Sequence, residues 1–261
     1  MSSGLSTLPF GRVLAAGEVW PCVFDGDEVL LLDRPAHEAG AAVVETVAAA
    51  GATTLAPVAP GKVVAVGLNY RAHAEEFNLD VPDSPILFMK PSTSVIGPGD
   101  AIRLPAQSHR VDYEAELALI VGSRSKDLTA DRAAGAVAGY TCANDVTARD
   151  LQGKDGQWTR AKSFDTFCPL GPWAVRQAPP PDAVVTAQID GAEVQSGLVG
   201  DMIVSPLDLL VFVTSVMTME PGDVLLTGTP PNVGRIAAGQ VVTVTVNGVG
   251  SLSNPVEGPQ V

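Results

Sequence analysis

Apolar residues in this chain recur mostly at every second position and in short runs, a pattern that predicts strands rather than helices over most of its length. "VWPCVFDGDEVLLL" reads as a hairpin around Asp25-Gly26-Asp27, "AVVTAQIDGAEVQ" turns at Asp190-Gly191, and "VVTVTVNGVGSLSNPV" turns at Asn247-Gly248. Asp-Gly and Asn-Gly supply the left-handed backbone that two-residue hairpin loops require. "KVVAVGLN" and "PILFMKP" add further strands, and "GYTCANDVTARDLQ" runs from a strand into a turn or short helix. Four helical stretches stand out. One is the Ala-rich segment from Glu38 to Ala50, and a second is about two turns in "YRAHAEEFNL", before Pro82 and Pro85 forbid continuation. A third runs from Thr129 to Val137. The fourth is "SPLDLLVFVTSVMTM", with Ser205 as N-cap, Pro206 at the first helical position and Asp208 completing a capping box. The apolar breadth of that last helix buries it in the core or between subunits. Regular βαβ alternation is missing, as are G-x-G-x-x-G and G-x-x-x-x-G-K-[ST], which argues against a doubly wound nucleotide fold. "APVAPGK" carries two prolines and no hydrophobic pattern, so the chain divides into a small β-rich unit, 1–56, and a larger one, 57–261.

One strand departs from the simple pattern. "HRVDYEAELALIVG", residues 109–122, begins with Asp112, Glu114 and Glu116 and finishes apolar. Strand positions two apart project the same way, about 6.6 Å from each other. At an effective dielectric near 20, two such charges repel by roughly 2 to 3 kcal/mol. Either solvent bathes that face or a cation sits on it. An isolated Glu-x-Glu is ordinarily a solvated face, but "LALIVG" belongs in a core, which puts the acidic end at the mouth of a pocket. Asp145, at the end of the apolar "GYTCAN", is a third carboxylate of the same kind. Three oxygen ligands with open positions suit Mg²⁺, and Mn²⁺ nearly as well. Zinc matches less well, since no cysteine cluster or histidine pair accompanies them.

In "YRAHAEEF", His73 and Glu76 are three apart and share a helix face. A surface histidine on a helix is usually no more than that. A partner carboxylate changes the reading, because it fixes the imidazole tautomer and raises its basicity, making a general base near neutrality. His37 and His109 have no such partner.

Charge and cysteines narrow the possibilities. Sixteen basic against twenty-nine acidic side chains give a net charge of -13, which argues against sequence-independent binding to nucleic acid or to anionic membranes. A small anionic substrate then needs a local positive centre, and a cation on the acidic strand supplies one. Cys22, Cys142 and Cys168 are widely spaced and form no CxxC pair, as expected in a reduced cytoplasm. The N-terminus lacks the pattern of a signal peptide, and no apolar run reaches bilayer-spanning length.

"VGLNYRAHAEE", "LFMKPSTSVIGPGD", "VDYEAELALIVG", "GYTCANDVTARDLQ", "WTRAKSFDTF" and "GDVLLTGTPPNVG" resemble, in this order, the motifs of the fumarylacetoacetate hydrolase family, over residues 62–256. The resemblance implies a mixed α/β, β-rich fold: a rolled mixed β-sheet of that family's C-terminal domain type over 57–261, behind a small N-terminal β-rich domain over 1–56. It also implies a homodimer with one Mg²⁺ or Mn²⁺ per subunit. By the same resemblance, Glu114, Glu116 and Asp145 are the metal carboxylates, and His73 with Glu76 is a catalytic dyad on a lid. Lys162 neutralises and positions the substrate, while Arg149, Gln152 and Thr229 line its pocket. Ser92 and Lys90 fall near the site, Lys90 equally as a buried structural pair. Asp112 matches no ligand position, and some family members carry another carboxylate where Asn69 stands. The activity implied is hydrolysis of the C–C bond of a 2,4-dioxo acid of acylpyruvate or fumarylpyruvate type. A decarboxylase of oxaloacetate, or an isomerase of a 2-hydroxyhepta-2,4-diene-1,7-dioate-type acid, passes through a related enolate and is the alternative. A non-catalytic metal-binding protein is the third reading.

Overall fold

The computed structural model describes residues 5–259. Its largest sheet runs, in spatial order, Val43–Ala48, Glu28–Leu32, Glu18–Asp25, Phe10–Ala15, Cys168–Val175, Val137–Asn144, Ala115–Val121, Val224–Leu226, Val63–Gly67 and Ile86–Lys90. Most neighbours are antiparallel, but Val224–Leu226 lies parallel to Val63–Gly67, so the sheet is mixed. A five-stranded sheet, Ala192–Leu198, Val184–Ile189, Val241–Val246, Gly250–Glu257 and Ile102–Arg103, packs against it. The strand Ala115–Val121 shows why its sequence is an unbroken apolar run. Leu117, Leu119 and Val121 enter the core shared with Val185, Val242, Val244 and Val246, while Ala118 and Ile120 face a second core with Phe10, Leu32, Val63 and Leu226. Both faces are buried, and alternation of polarity disappears with them. The fold is the mixed, strand-rich one expected.

The three Asp-Gly and Asn-Gly hairpins form as the sequence predicts, with Asp25↔Glu28, Ile189↔Ala192 and Val246↔Gly250 closing them. The helix Pro206–Val216 also forms where its cap places it. Ser205 Oγ accepts the Asp208 N–H at 3.2 Å and donates to the Asp208 carboxylate at 2.6 Å. Leu209, Leu210 and Val213 of this helix enter the main core. Among the described residues no helix is long and apolar enough to cross a membrane.

Two expectations are corrected. The Ala-rich stretch 38–50 is not a helix: Val43–Ala48 is a strand, followed by a single 3₁₀ turn, Ala49–Gly51. Val43, Val44, Thr46 and Val47 are β-branched, and pairing along Glu28–Leu32, with Leu30↔Thr46 and Leu31↔Glu45, outweighs the helical preference of the alanines around them. The acidic segment is not one strand either. Val111–Tyr113 belongs to a three-stranded sheet with Thr147–Ala148 and Gly234–Arg235, Ala115–Val121 belongs to the large sheet, and Glu114 sits at the break. Its N–H donates to the Asn144 side chain at 3.0 Å instead of to a backbone carbonyl of the neighbouring strand. The N-terminal strands extend the large sheet, through Phe10↔Ala174, and Ala56 and Val58 of the proline-containing crossing are buried in its second core.

Candidate active site

The break at Glu114 builds the floor of a pocket. Asp145 follows directly on Val137–Asn144, the strand paired with Ala115–Val121, and its N–H donates to the Glu114 carbonyl at 2.9 Å. Glu116 stands two residues further along, opposite Ala143. Ligand atoms of Glu114, Glu116 and Asp145 all lie within 4.8 Å of one another, and all three side chains are buried. The pocket above them has a volume of about 290 Å³ and is lined also by His73, Lys162, Arg149, Gln152 and Thr229.

Charges around this floor are matched in detail. Lys162 Nζ donates to Glu114 at 2.8 Å and to the Asp145 Oδ2 at 2.5 Å, while Lys90 Nζ donates to the Asp145 Oδ1 at 2.5 Å and to the Val146 carbonyl at 3.2 Å. Arg149 Nε donates to Asp112 at 2.9 Å; the same guanidinium reaches Glu114 and donates to Gln152 Oε1 at 2.7 Å. Asp112, which matched no ligand position, is thus paired with Arg149 and also with Arg110 at 3.0 Å. Asp112, Glu114 and Asp145 each accept from a cation among Arg110, Arg149, Lys90 and Lys162, whereas Glu116 accepts from none of them. Its donor is the Gly228 N–H, at 2.7 Å.

This imbalance explains the titration of the cluster. Burial alone would raise the Glu114 carboxyl, but the charges of Lys162, Arg149 and His73 overcome it and hold the group well below the usual carboxylate range. For Glu116, burial and the negative charges of Asp145 and Glu114 act together, and its carboxyl is pushed well above that range. Lys162 keeps its proton because the Asp145 and Glu114 charges outweigh its burial. A buried set of three carboxylates, one lacking a counter-charge, is a hard-oxygen site short of positive charge. The residues therefore fit a divalent ion of the Mg²⁺ or Mn²⁺ kind.

The dyad is also assembled. His73 Nδ1 lies 3.2 Å from Glu76 Oε2, and Glu76 is held in turn by the Asn232 N–H at 3.0 Å. A carboxylate only accepts, so Nδ1 donates a hydrogen to Glu76 and Nε2 is the ring nitrogen turned away from it. The short helix Arg71–Glu76 is carried over the pocket by a sharp exit from Val63–Gly67, where Leu68 takes φ +59°.

Ser92 departs from the placement suggested by the sequence, and Thr229 and Asn69 have their polar groups committed to other partners. Ser92 lies on an exposed turn after Ile86–Lys90, outside the pocket lining, whereas Lys90 points inward to Asp145. Thr229 lines the pocket, but its hydroxyl is committed, donating to the Ala115 carbonyl at 2.9 Å and accepting from Gln195 at 2.8 Å. Asn69 turns its amide onto backbone, donating to Val204 and Thr227 carbonyls at 2.9 and 2.8 Å and accepting the Val204 N–H at 2.9 Å. Asn144 and Gln195 escaped sequence reasoning altogether. They hold Glu114 and Thr229 through partners 30 and 34 residues away, and nothing local marks them.

Residues 62–257 match the family described as "Fumarylacetoacetate (FAA) hydrolase C-terminal", which is three quarters of the chain. The chain belongs to the fumarylacetoacetate hydrolase family. Within it, the chain is 45% identical over 204 residues to the mitochondrial oxaloacetate tautomerase Fahd2a of Rattus norvegicus, covering 76% of this chain and 65% of that protein. The structure of a 2-hydroxyhepta-2,4-diene-1,7-dioate isomerase from Mycobacterium marinum superposes with a TM-score of 0.89 at 37% identity, over 96% of this chain and 98% of that one. That of fumarylpyruvate hydrolase from Pseudomonas aeruginosa, in complex with Mn²⁺ and pyruvate, superposes with a TM-score of 0.72 at 30% identity, over 77% and 91%. These three relatives are named as a tautomerase, an isomerase and a hydrolase.

Proposed function

We propose that this protein is a divalent-metal-dependent hydrolase that cleaves the C3–C4 bond of a 2,4-dioxo acid of the acylpyruvate class. The observation that carries this reading is the His73–Glu76 pair opening onto the same pocket as the buried carboxylate triad and Lys162. Mg²⁺ or Mn²⁺ held by Glu114, Glu116 and Asp145 would supply the Lewis acidity that attracts the substrate's carboxylate and 2-oxo group. His73 Nε2, its tautomer fixed by Glu76, takes a proton from water, and the hydroxide attacks C4. As C3–C4 breaks, the electron pair moves onto the pyruvate fragment as an enolate, and the Lys162 ammonium is the chain's own positive charge placed to stabilise it. The proton returns to C3, so one water is consumed and pyruvate and a carboxylic acid are released. Arg149 and Gln152 orient the substrate from one wall, and Thr229 forms a fixed part of the other.

A second reading is enol–keto chemistry or decarboxylation on oxaloacetate or a related dioate, and the similarity to an oxaloacetate tautomerase supports it. Those reactions need no attacking water. His73→Ala should therefore lower acylpyruvate hydrolysis by about 100-fold or more while leaving Mg²⁺ affinity nearly unchanged. Turnover of acetylpyruvate, fumarylpyruvate and oxaloacetate by wild type and variant, with Mg²⁺, separates the readings. Hydrolysis at the wild-type rate in the variant would remove the dyad from the mechanism. We further read the protein as a cytoplasmic homodimer. Its three buried, free cysteines support a reducing compartment, and an exposed apolar edge strand, Ile86–Lys90 with Ile86 and Met89 outward, supports association. Light scattering that reports a monomer at micromolar concentration counts against the dimer.

A further inference from the structure

The floor and the rim of the pocket differ in kind. Glu114, Glu116, Asp145 and Lys162 at the floor are all but inaccessible, whereas Phe77 and Leu79 at the rim are 36% and 51% exposed. Trp158 and Phe88 complete that rim. The indole has its seat because residue 67 is glycine: a Cβ there would lie 2.5 Å from the Trp158 ring. Trp158 meets Phe88 edge-on, with centroids 5.3 Å apart, and Phe77 meets the His73 ring at 5.1 Å. A 2-oxo acid whose charged head is held at the floor directs its other end into this apolar collar.

The cations nearest the collar, Lys162 at 4.9 Å from the Phe88 ring centroid and Arg149 at 5.3 Å from that of Phe77, are already paired with carboxylates. Besides His73, the cations lining the pocket are Lys162 and Arg149, among the described residues. Lys162 is held by Glu114 and Asp145, and Arg149 by Asp112 and Glu114, so both serve the charged head of the substrate rather than its far end. A carboxylate at the far end of a substrate would give up part of its hydration for aromatic rings, whose faces are electron-rich, and would find no cation free of a carboxylate partner.

We propose that the pocket selects 2-oxo acids whose distal end is uncharged and apolar, with Trp158, Phe88, Phe77 and Leu79 as the specificity-determining surface. The proposal rests on the reading that the floor holds a 2-oxo acid by its head. Two acylpyruvates test it, because 4-methylpentanoylpyruvate and succinylpyruvate have nearly the same shape and differ at the far end by an isopropyl group against a carboxylate. With Mg²⁺-loaded protein, kcat/KM should favour the first by roughly tenfold or more, the penalty expected for an unpaired charge against an apolar rim. Leu79→Arg adds a cation at an exposed position that the core does not depend on. It should move the ratio toward succinylpyruvate by about tenfold, chiefly through KM. Equal use of the two compounds, a preference for succinylpyruvate, or no shift in Leu79→Arg overturns the proposal. Calorimetric binding of 5-methyl-2-oxohexanoate against 2-oxoglutarate, which cannot be cleaved this way, reads the same selectivity without hydrolysis. Tighter binding of the apolar acid with neither acylpyruvate cleaved sinks the hydrolase reading and keeps the selectivity. Cleavage with the opposite binding preference sinks the selectivity alone.

Discussion

Glu116→Gln isolates the one carboxylate of the site that the chain leaves without a counter-charge. The amide keeps the volume and can still accept the Gly228 N–H, which lies 2.7 Å from the carboxylate. In metal-free protein the Glu116 carboxyl is raised above its ordinary value of 4.5 by burial and by the charges of Asp145 and Glu114. Its contribution to stability is therefore complete below about 4.5, where folded and unfolded chains both carry the proton, and is lost as the pH climbs, because only the unfolded chain ionises freely. Glu114, held low, behaves oppositely: its contribution is lost only in acid, so it adds no slope in the neutral range. Between its ordinary and its raised value, Glu116 costs the wild type about 1.4 kcal/mol per pH unit relative to Glu116→Gln. As the pH climbs from about 4.5 towards that raised value, the variant should gain steadily on the wild type. Urea unfolding of chelator-treated proteins across that range measures it. Excess Mg²⁺ should reverse the order, since binding at a hundred times Kd stabilises the wild type by about 2.7 kcal/mol and the variant by far less. Mg²⁺ titrations in buffers of different ionisation enthalpy should show protons released by the wild type that the variant does not release. Parallel stability curves for the two metal-free proteins, with no proton released on Mg²⁺ binding, would refute the reasoning.

Protein treated with a chelator should lose turnover and regain it with Mg²⁺ or Mn²⁺, because the proposed ligands are hard oxygens; full activity in a rigorously metal-free sample would sink the metal assignment. Lys90→Met should destabilise the fold by about 3 to 5 kcal/mol, since it strips Asp145 of one of two buried cations. Chemical denaturation measures this, and a neutral result would mean that Lys162 alone balances the site.

Much of this protein was legible before any coordinates. The hairpins were, because Asp-Gly and Asn-Gly fix a local backbone shape that strands on either side must follow. So was the helix Pro206–Val216, whose cap, first-position proline and apolar run lie within a dozen residues of each other. The spacing of His73 and Glu76 put them on one helical face, and the structure brings them to 3.2 Å. Glu114, Glu116 and Asp145 stood out because charge at the edge of an apolar run is costly unless something compensates it. What compensates it was decided only by tertiary structure. Lys90 reaches Asp145 across 55 residues of sequence, Lys162 reaches Glu114 across 48, and Arg149 reaches Asp112 across 37. Periodicity tells which way a side chain points but not what stands opposite. The same limit hid the break at Glu114, made by a side-chain acceptor on another strand, and the strand Val43–Ala48, whose flanking alanines favour a helix until Glu28–Leu32 offers the segment a ladder. Local signals fixed turns, caps and the acidic residues; pairing between distant segments chose the neighbours, and with them the one carboxylate left uncompensated for a metal to claim.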